Sequence, residues 1–493
     1  MNITSQLISR AQKWKTCLKT NNVLNVWFII TILLLSTVFN SFSQYNDPYL
    51  FTDTNRRIKW DSGNFYRDLW QWDFTPVTGY QCKVYDGDGI YYSQYNEPPS
   101  VGADLGIFRA WETTRGVGVI IAIADQGCDN NHPDLTNRIV GGTNVFDLMP
   151  WSYDVGPANI GHGTAVSSVV AAEGNNGLGI VGVAPEASLF IIRCNYSSAL
   201  LPAIVDAAIS AGASIIVMSW SFSDDNQLAK QALIRAGEHG IVVVCATLNI
   251  SGNVDGYSDY PTNWQLPNVI TVTSCMMNDV PYSVGGTSST LVHLYAPGRL
   301  IIVAKYGETG YVYTSGTSFA APKVAGALAL IRSAFPNLTA KEAIDRLLAS
   351  VDRLPAYAGK TITGGRLNVG WAITGPEISI SVQNGLPVIN IQGPAFASFK
   401  IERTTNFNQW DTLPVVQSNI SGLVSFTPPL DNMGFFKISL TRPETEWMSF
   451  QNFVVNSSKK LKQNQKNHQQ KMPPVRLSEP QCKKRLTFPK IPV

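Results

Sequence analysis

The sequence predicts an α/β protein, a mainly parallel sheet with helices on both faces, followed by a small C-terminal β-sandwich. Three observations carry this. From residue 107, near-continuous apolar runs such as "GVGVIIAIAD", "ASLFIIRC", "ASIIVMSWS" and "IVVVCAT" alternate with helical patterns such as "HGTAVSSVVAA", "LPAIVDAAISAG" and "NQLAKQALIRAGEHG". Strands apolar on both sides and separated by helices belong to a parallel sheet covered on both faces. After Pro376 the pattern changes to short alternating strands with turns between them, "EISISVQNGLPVINIQG", "FASFKIERTTNFNQWDTLP" and "GLVSFTPPL", the signature of a small antiparallel sandwich. Finally, 493 residues exceed what one ordinary core organises, and 44% apolar residues support a folded chain.

Five segments follow in order. Residues 1–43 carry Arg10, Lys13, Lys15 and Lys19, no acids, and the apolar run Val26 to Phe39, ending near Ser41 and Ser43. This reads as a signal peptide, with an uncleaved anchor as the alternative; the run is short for a membrane span, so no stable span is expected in the mature chain and the product is secreted or held at the cell surface. Residues 44–106 form an N-terminal extension of the mature catalytic domain. Residues 107–375 form that domain, 376–456 the sandwich, and 457–493 a basic tail too poor in apolar residues to fold.

Charge is divided unevenly. The tail holds ten basic groups against Glu479 alone, while residues 44–456 hold 24 basic and 34 acidic groups. An acidic body excludes nucleic acid as its natural partner. Of seven cysteines, Cys17 and Cys482 lie in the terminal segments; Cys82, Cys128, Cys194, Cys245 and Cys275 are widely spaced, show no Cys-x-x-Cys pattern and read as small buried hydrophobes.

Chemistry concentrates in three motifs. "SGTSFAAPKVAG" opens a helix at Thr317 and Ser318, and Pro322 is expected in its first turn, where a missing N–H is harmless. A hydroxyl there lies in the positive field of a helix N-terminus, which suits a nucleophile beside a developing oxyanion; a capping serine is the plainer reading. "AIADQGCDNNHPDL" places Asp125 at a strand's carboxyl end, where α/β sheets bind ligands, and "IGHGTAVSSVVAA" places His162 at a helix start. Separately, Asp125 could be a turn former and His162 a packed polar residue. Together they are a nucleophile, a base in the right titration range and a carboxylate to fix its tautomer: His162 takes the Ser318 proton and returns it to the leaving amine, and Asp125 stabilises the imidazolium.

The order Asp125, His162, Ser318, with "GIVGVAPEA", "MSWS", "YPTNWQLPNVITVTS", "YAPG" and "GGRLN" between and beyond them, resembles the subtilisin family (subtilases) over roughly residues 107 to 374. The resemblance implies a secreted serine endopeptidase acting on polypeptides through an acyl-enzyme, with no cofactor needed for the chemistry. It implies an oxyanion-hole donor at Asn249, and a substrate pocket at Ser219, Trp220, Ser221, Leu248 and Asp259. It also implies a structural calcium at Asp134 and Asn176, although Asp134 equally fits a plain turn. Departures are visible: Gln126 stands where a Ser or Thr is usual, Ser221 and Leu248 where glycines are, and the segment from "YNDPYL" leaves little room for the usual prodomain. A catalytically weak scaffold that holds peptides or mediates adhesion is the alternative. Asp259, where small residues are usual, has two readings: a pocket carboxylate that pairs with a substrate Arg or Lys, or one of several acids on a wetted loop. Oligomeric state is not legible.

Overall fold

The computed structural model of this chain describes residues 104–154, 161–307, 309–383, 386–404, 411–419 and 421–427, and the strands 434–441 and 447–455. It also describes β1 (Asp53–Lys59), β2 (Tyr66–Leu69) and β3 (Val84–Tyr85), paired as a three-stranded antiparallel sheet. The signal segment, most of the N-terminal extension and the basic tail lie outside the described residues.

The main sheet uses β4 (Ile120–Asp125), β5 (Ile139–Asn144), β6 (Ser188–Arg193), β7 (Ile215–Met218), β8 (Val242–Ala246), β9 (Val269–Cys275) and β10 (Leu294–Pro297). A hairpin of β11 (Ile301–Ala304) and β12 (Tyr311–Thr314) stands apart, and β13 (Asp352–Arg353) and β14 (Gly365–Arg366) close one edge. The order is β13-β14-β10-β9-β8-β7-β4-β6-β5, and every pairing except β13 with β14 is parallel. The edge strand β5 is hidden in the sequence because "IVGGTN" offers two glycines instead of an apolar run.

Successive side chains of a strand face opposite sides, and both sides here are apolar. Ile121, Ile123, Val217 and Val244 enter one core, with α1 (Ile107–Trp111) and α2 (His162–Ala171) over that face. Ala122, Ala124, Ile216 and Val243 enter the other, beneath α3 (Leu201–Ser210) and α4 (Gln227–Glu238). The first core is completed by α5 (Thr317–Ala334), α6 (Ala340–Ala349) and α7 (Val369–Thr374). The α5 residues Thr317 to Ile331 are all buried, so this helix is internal rather than amphipathic.

Pro322 is the sixth residue of α5, not part of its first turn. A proline there withholds an N–H from the Ser318 carbonyl one turn back, which is tolerated at this depth because packing on all sides holds the helix. Thr339 and Glu342 form a reciprocal capping box at the start of α6.

Beyond Pro376, the strands Glu377–Gln383, Leu386–Gln392 and Leu423–Phe426 make one antiparallel sheet. Ser398–Thr404 pairs with Asp411–Thr412, Val416–Gln417 and Gly434–Thr441, and the last pairs with Trp447–Val455 in a second sheet. Ile389, Ile391, Phe399, Ile401 and Ile438 from the two sheets share one core, which also takes in Ala349 of α6. Sandwich and catalytic region are therefore in apolar contact.

Candidate active site

The chain runs from β4 to β5 and β6 on one side of the sheet and then crosses to β7, β8 and β9 on the other, so the direction of winding reverses between β4 and β7. Ligands of open parallel sheets bind at this kind of reversal, beyond the strands' carboxyl ends. Asp125 ends β4, Ser219 follows β7, and Thr247, Leu248 and Asn249 follow β8.

Two helix N-termini meet these loops. His162 is the first residue of α2 and Ser318 the second of α5. The approach depends on two glycines. A Cβ on Gly163 would lie 2.0 Å from the Gly127 carbonyl oxygen, which seats α2 against the loop after β4. Gly316, the N-cap of α5, has φ 152° and ψ 163°, a conformation open to glycine almost alone.

His162 Nδ1 lies 2.9 and 3.0 Å from the two oxygens of Asp125. A carboxylate on both sides of Nδ1 demands a proton there, leaving Nε2 free as a base. Burial disfavours the imidazolium, but the charge and hydrogen bonds of Asp125 outweigh it, and the His162 pKa lies above the usual 6.5. The Phe319 ring sits 5.7 Å from the His162 ring, centroid to centroid, which sets the imidazole against the first turn of α5. In this state the Ser318 hydroxyl donates to the Ser219 carbonyl at 3.0 Å and not to His162. Catalytic hydrogen bonds commonly tighten only with substrate bound.

Asn249, expected as an oxyanion donor, is held separately. Its Oδ1 accepts from the Thr317 N–H at 3.0 Å and lies 3.0 Å from the Thr317 hydroxyl, whose one proton is shared with the Thr247 carbonyl at 2.7 Å. An N–H can only donate, so the facing atom is the oxygen, and the amide nitrogen has no acceptor among the described residues. The Ser318 N–H, near the start of α5, likewise has no acceptor among the described residues.

Pocket residues differ in what they offer. Ser219 and Trp220 are buried, and Trp220 Nε1 donates to the Ala124 carbonyl at 2.7 Å, so the indole braces β4. Ser221 and Leu248 are half-buried, in the loops that follow β7 and β8. Asp259 is wholly buried, which corrects the wetted-loop reading; only its neighbour Asp255 is exposed. Its Oδ2 accepts from the Thr247 hydroxyl at 3.1 Å, while Oδ1 has no partner. Burial raises the Asp259 pKa, opposed by the neighbouring hydroxyls of Ser221, Thr247 and Thr262.

Asp134 and Asn176 do come together, but not as a calcium site. Asp134 Oδ1 accepts from Asn176 Nδ2 at 3.0 Å; Oδ2 accepts from the Ile180 N–H at 3.0 Å and the Tyr311 hydroxyl at 2.6 Å. Both oxygens are thus occupied by protein donors, and the Tyr311 ring is wedged against Gly179, where a Cβ would lie 1.8 Å from Cζ. The residues present do not fit a cation at this pair, and among the described residues no cluster of three or more metal-type ligands occurs.

Three functional neighbours were not legible. Tyr196 reaches Asp125 and His162 from the loop after β6, and Tyr311 caps Asp134. Asp154, eight residues before His162, is fully buried, accepts from the Thr164 N–H and hydroxyl at 2.7 Å each, and is pushed to about 6 by burial and then by the charge of Asp125. For Asp154, an acid close before a candidate histidine was the available signal; the tyrosines had none.

A doubly wound sheet carrying Asp, His and Ser at its carboxyl ends defines a serine hydrolase of the α/β class. Sequence comparison makes this specific. The model of the family described as Peptidase_S8, Subtilase family, matches residues 116–365. The chain is 36% identical over 231 residues to thermitase of Thermoactinomyces vulgaris, covering 46% of this chain and 78% of that protein. It is 35% identical over 268 residues to the major intracellular serine protease of Bacillus subtilis (strain 168), covering 51% and 80%. An intracellular serine protease of Paenibacillus polymyxa is 37% identical over 247 residues, covering 48% and 74%. The chain belongs to the subtilase family and is a serine-type endopeptidase.

Proposed function

We propose that this endopeptidase cleaves polypeptides through an acyl-enzyme on Ser318. His162 Nε2 removes the Ser318 proton as Oγ attacks the scissile carbonyl; the carbonyl oxygen takes up the negative charge, held by Asn249 Nδ2 and the Ser318 N–H. His162 then passes its proton to the departing amine, and water repeats the sequence in reverse to free the acyl group. Asp125 keeps the proton on Nδ1 and stabilises the imidazolium. The observation that carries this reading is the two-oxygen contact of Asp125 with His162 Nδ1, beside a helix N-terminus that presents Ser318.

The loops after β7 and β8 bound the pocket for the residue before the scissile bond, with Ser221 and Leu248 at its wall and Asp259 beneath them. Residues 107–375 are the catalytic unit and 376–456 an appended sandwich. Export rests on the basic and apolar pattern of residues 1–43; among the described residues no helix is long and apolar enough to cross a membrane, and two of the relatives named above are intracellular by name.

A fluorophosphonate probe tests the chemistry. Wild type should label and Ser318→Ala should not. A folded wild type that neither labels nor cleaves casein would leave a peptide-holding scaffold as the better account.

A further inference from the structure

The loop after β6 contains a tyrosine in an unusual backbone state. Cys194 N–H donates to the Asp125 main-chain carbonyl at 2.7 Å, tying the end of β6 to the end of β4. Two residues later Tyr196 has φ 64°, in the left-handed region that non-glycine residues seldom occupy. That turn sends its side chain back across the triad. The hydroxyl donates to Asp125 Oδ1 at 2.6 Å and lies 3.0 Å from His162 Nδ1. Its ring stacks on Trp220, with centroids 5.4 Å apart and planes at 28°, and meets the His162 ring edge-on at 6.0 Å.

The Asp125 carboxylate has few other donors. Gln126 supplies its backbone N–H to Oδ1 at 2.8 Å, but its side chain does not reach the carboxylate: Gln126 Oε1 is buried without a partner. This is the position at which the subtilase resemblance expects a hydroxyl. A hydroxyl does reach Asp125, from another element altogether, 71 residues along the chain.

We propose that Tyr196 is a positioning residue of the triad: its hydroxyl, aimed by the Trp220 stack and the left-handed turn, holds the Asp125 carboxylate toward His162 Nδ1. The proposal rests on the triad reading above. With His162 Nδ1–H directed at Asp125, the phenol proton goes to Oδ1 and the phenol oxygen stays beside Nδ1 as a second acceptor. Burial, and then the charge of Asp125, raise the Tyr196 pKa, so it remains a donor across the working range. The charged and titratable groups around it are Asp125, His162, Asp154 and Cys194.

Tyr196→Phe removes the hydroxyl and keeps the stacked ring. It should lower kcat about tenfold, as loss of a hydrogen bond to a charged group does, with KM for a short peptide unchanged and a modest fall in the melting temperature from the lost donor. It should raise the apparent pKa of the pH profile, because a carboxylate with one donor fewer stabilises the imidazolium more. The downfield proton resonance of His162 Nδ1, assigned with His162→Gln, should move in the same variant. Wild-type kcat with an unmoved profile overturns the proposal; so does a loss of kcat that follows a loss of thermal stability while the profile and resonance stay put. If wild type itself neither labels nor turns over, the triad reading has failed, and the resonance alone decides for Tyr196: unmoved in Tyr196→Phe, it overturns the proposal too.

Discussion

Thr317 meets Asn249 at one end only: its N–H donates to Oδ1 at 3.0 Å, and its hydroxyl shares one proton between that oxygen at 3.0 Å and the Thr247 carbonyl, closer at 2.7 Å. Oδ1 is thereby occupied by a main-chain donor, which leaves Nδ2 as the end of the carboxamide available to donate. Asn249→Ala should therefore lower kcat about 10²- to 10³-fold with little change in KM, the pattern of a group used only in the transition state. Equal losses in kcat/KM through KM alone would show that Asn249 binds substrate rather than the oxyanion.

Activity requires His162 neutral, and its pKa is raised by Asp125. Log kcat/KM should rise with unit slope as pH increases and level off only above pH 6.5, where a depressed pKa would put the whole limb below that value. Asp154, ionised above about pH 6, adds negative charge nearby and also raises the His162 pKa. Asp154→Asn should then shift the activity limb to lower pH; a limb that stays or moves up contradicts the coupling.

The same carboxylate bears on stability with the opposite sense. An acid whose folded pKa is raised stabilises the fold most below its unfolded value near 3.8, and that contribution is lost as pH climbs through about 6. In Asp154→Asn the fall in melting temperature across pH 4 to 7 should be smaller than in wild type, which differential scanning measurements at matched ionic strength will show.

At Asp134 the donors are Asn176, Ile180 and Tyr311. Tyr311→Phe strips one donor from a buried carboxylate and should cost about 1–3 kcal/mol. Whatever response to calcium or chelator the wild-type melting temperature has, Asp134→Asn should retain it. A calcium response that vanishes in Asp134→Asn would restore the metal site.

Asp259 is buried with one oxygen unpaired. A substrate Arg or Lys supplies the missing charge, so kcat/KM for Arg over Leu before the scissile bond should exceed one and grow as pH rises through the elevated Asp259 pKa. Asp259→Gly should abolish the preference. No preference in wild type, or one untouched by Asp259→Gly, removes Asp259 from the specificity pocket.

Local pattern determined much of this protein. Apolar runs alternating with helices announced the parallel sheet, since a strand buried on both faces must be apolar on both. Asp125, His162 and Ser318 were candidates from the sequence because each sits in a short motif at a strand or helix end, whereas Asn249 came only from the family resemblance. Tertiary structure alone decided what completes each carboxylate. Tyr196 reaches Asp125 across 71 residues and Tyr311 reaches Asp134 across 177, and of the two readings of Asp259 only the packing removed the wetted-loop one. The Asp134–Asn176 pairing was anticipated, yet what lies between them was not. A buried carboxylate must find donors, but which donors are in reach depends on how distant elements pack, and no local spacing encodes that.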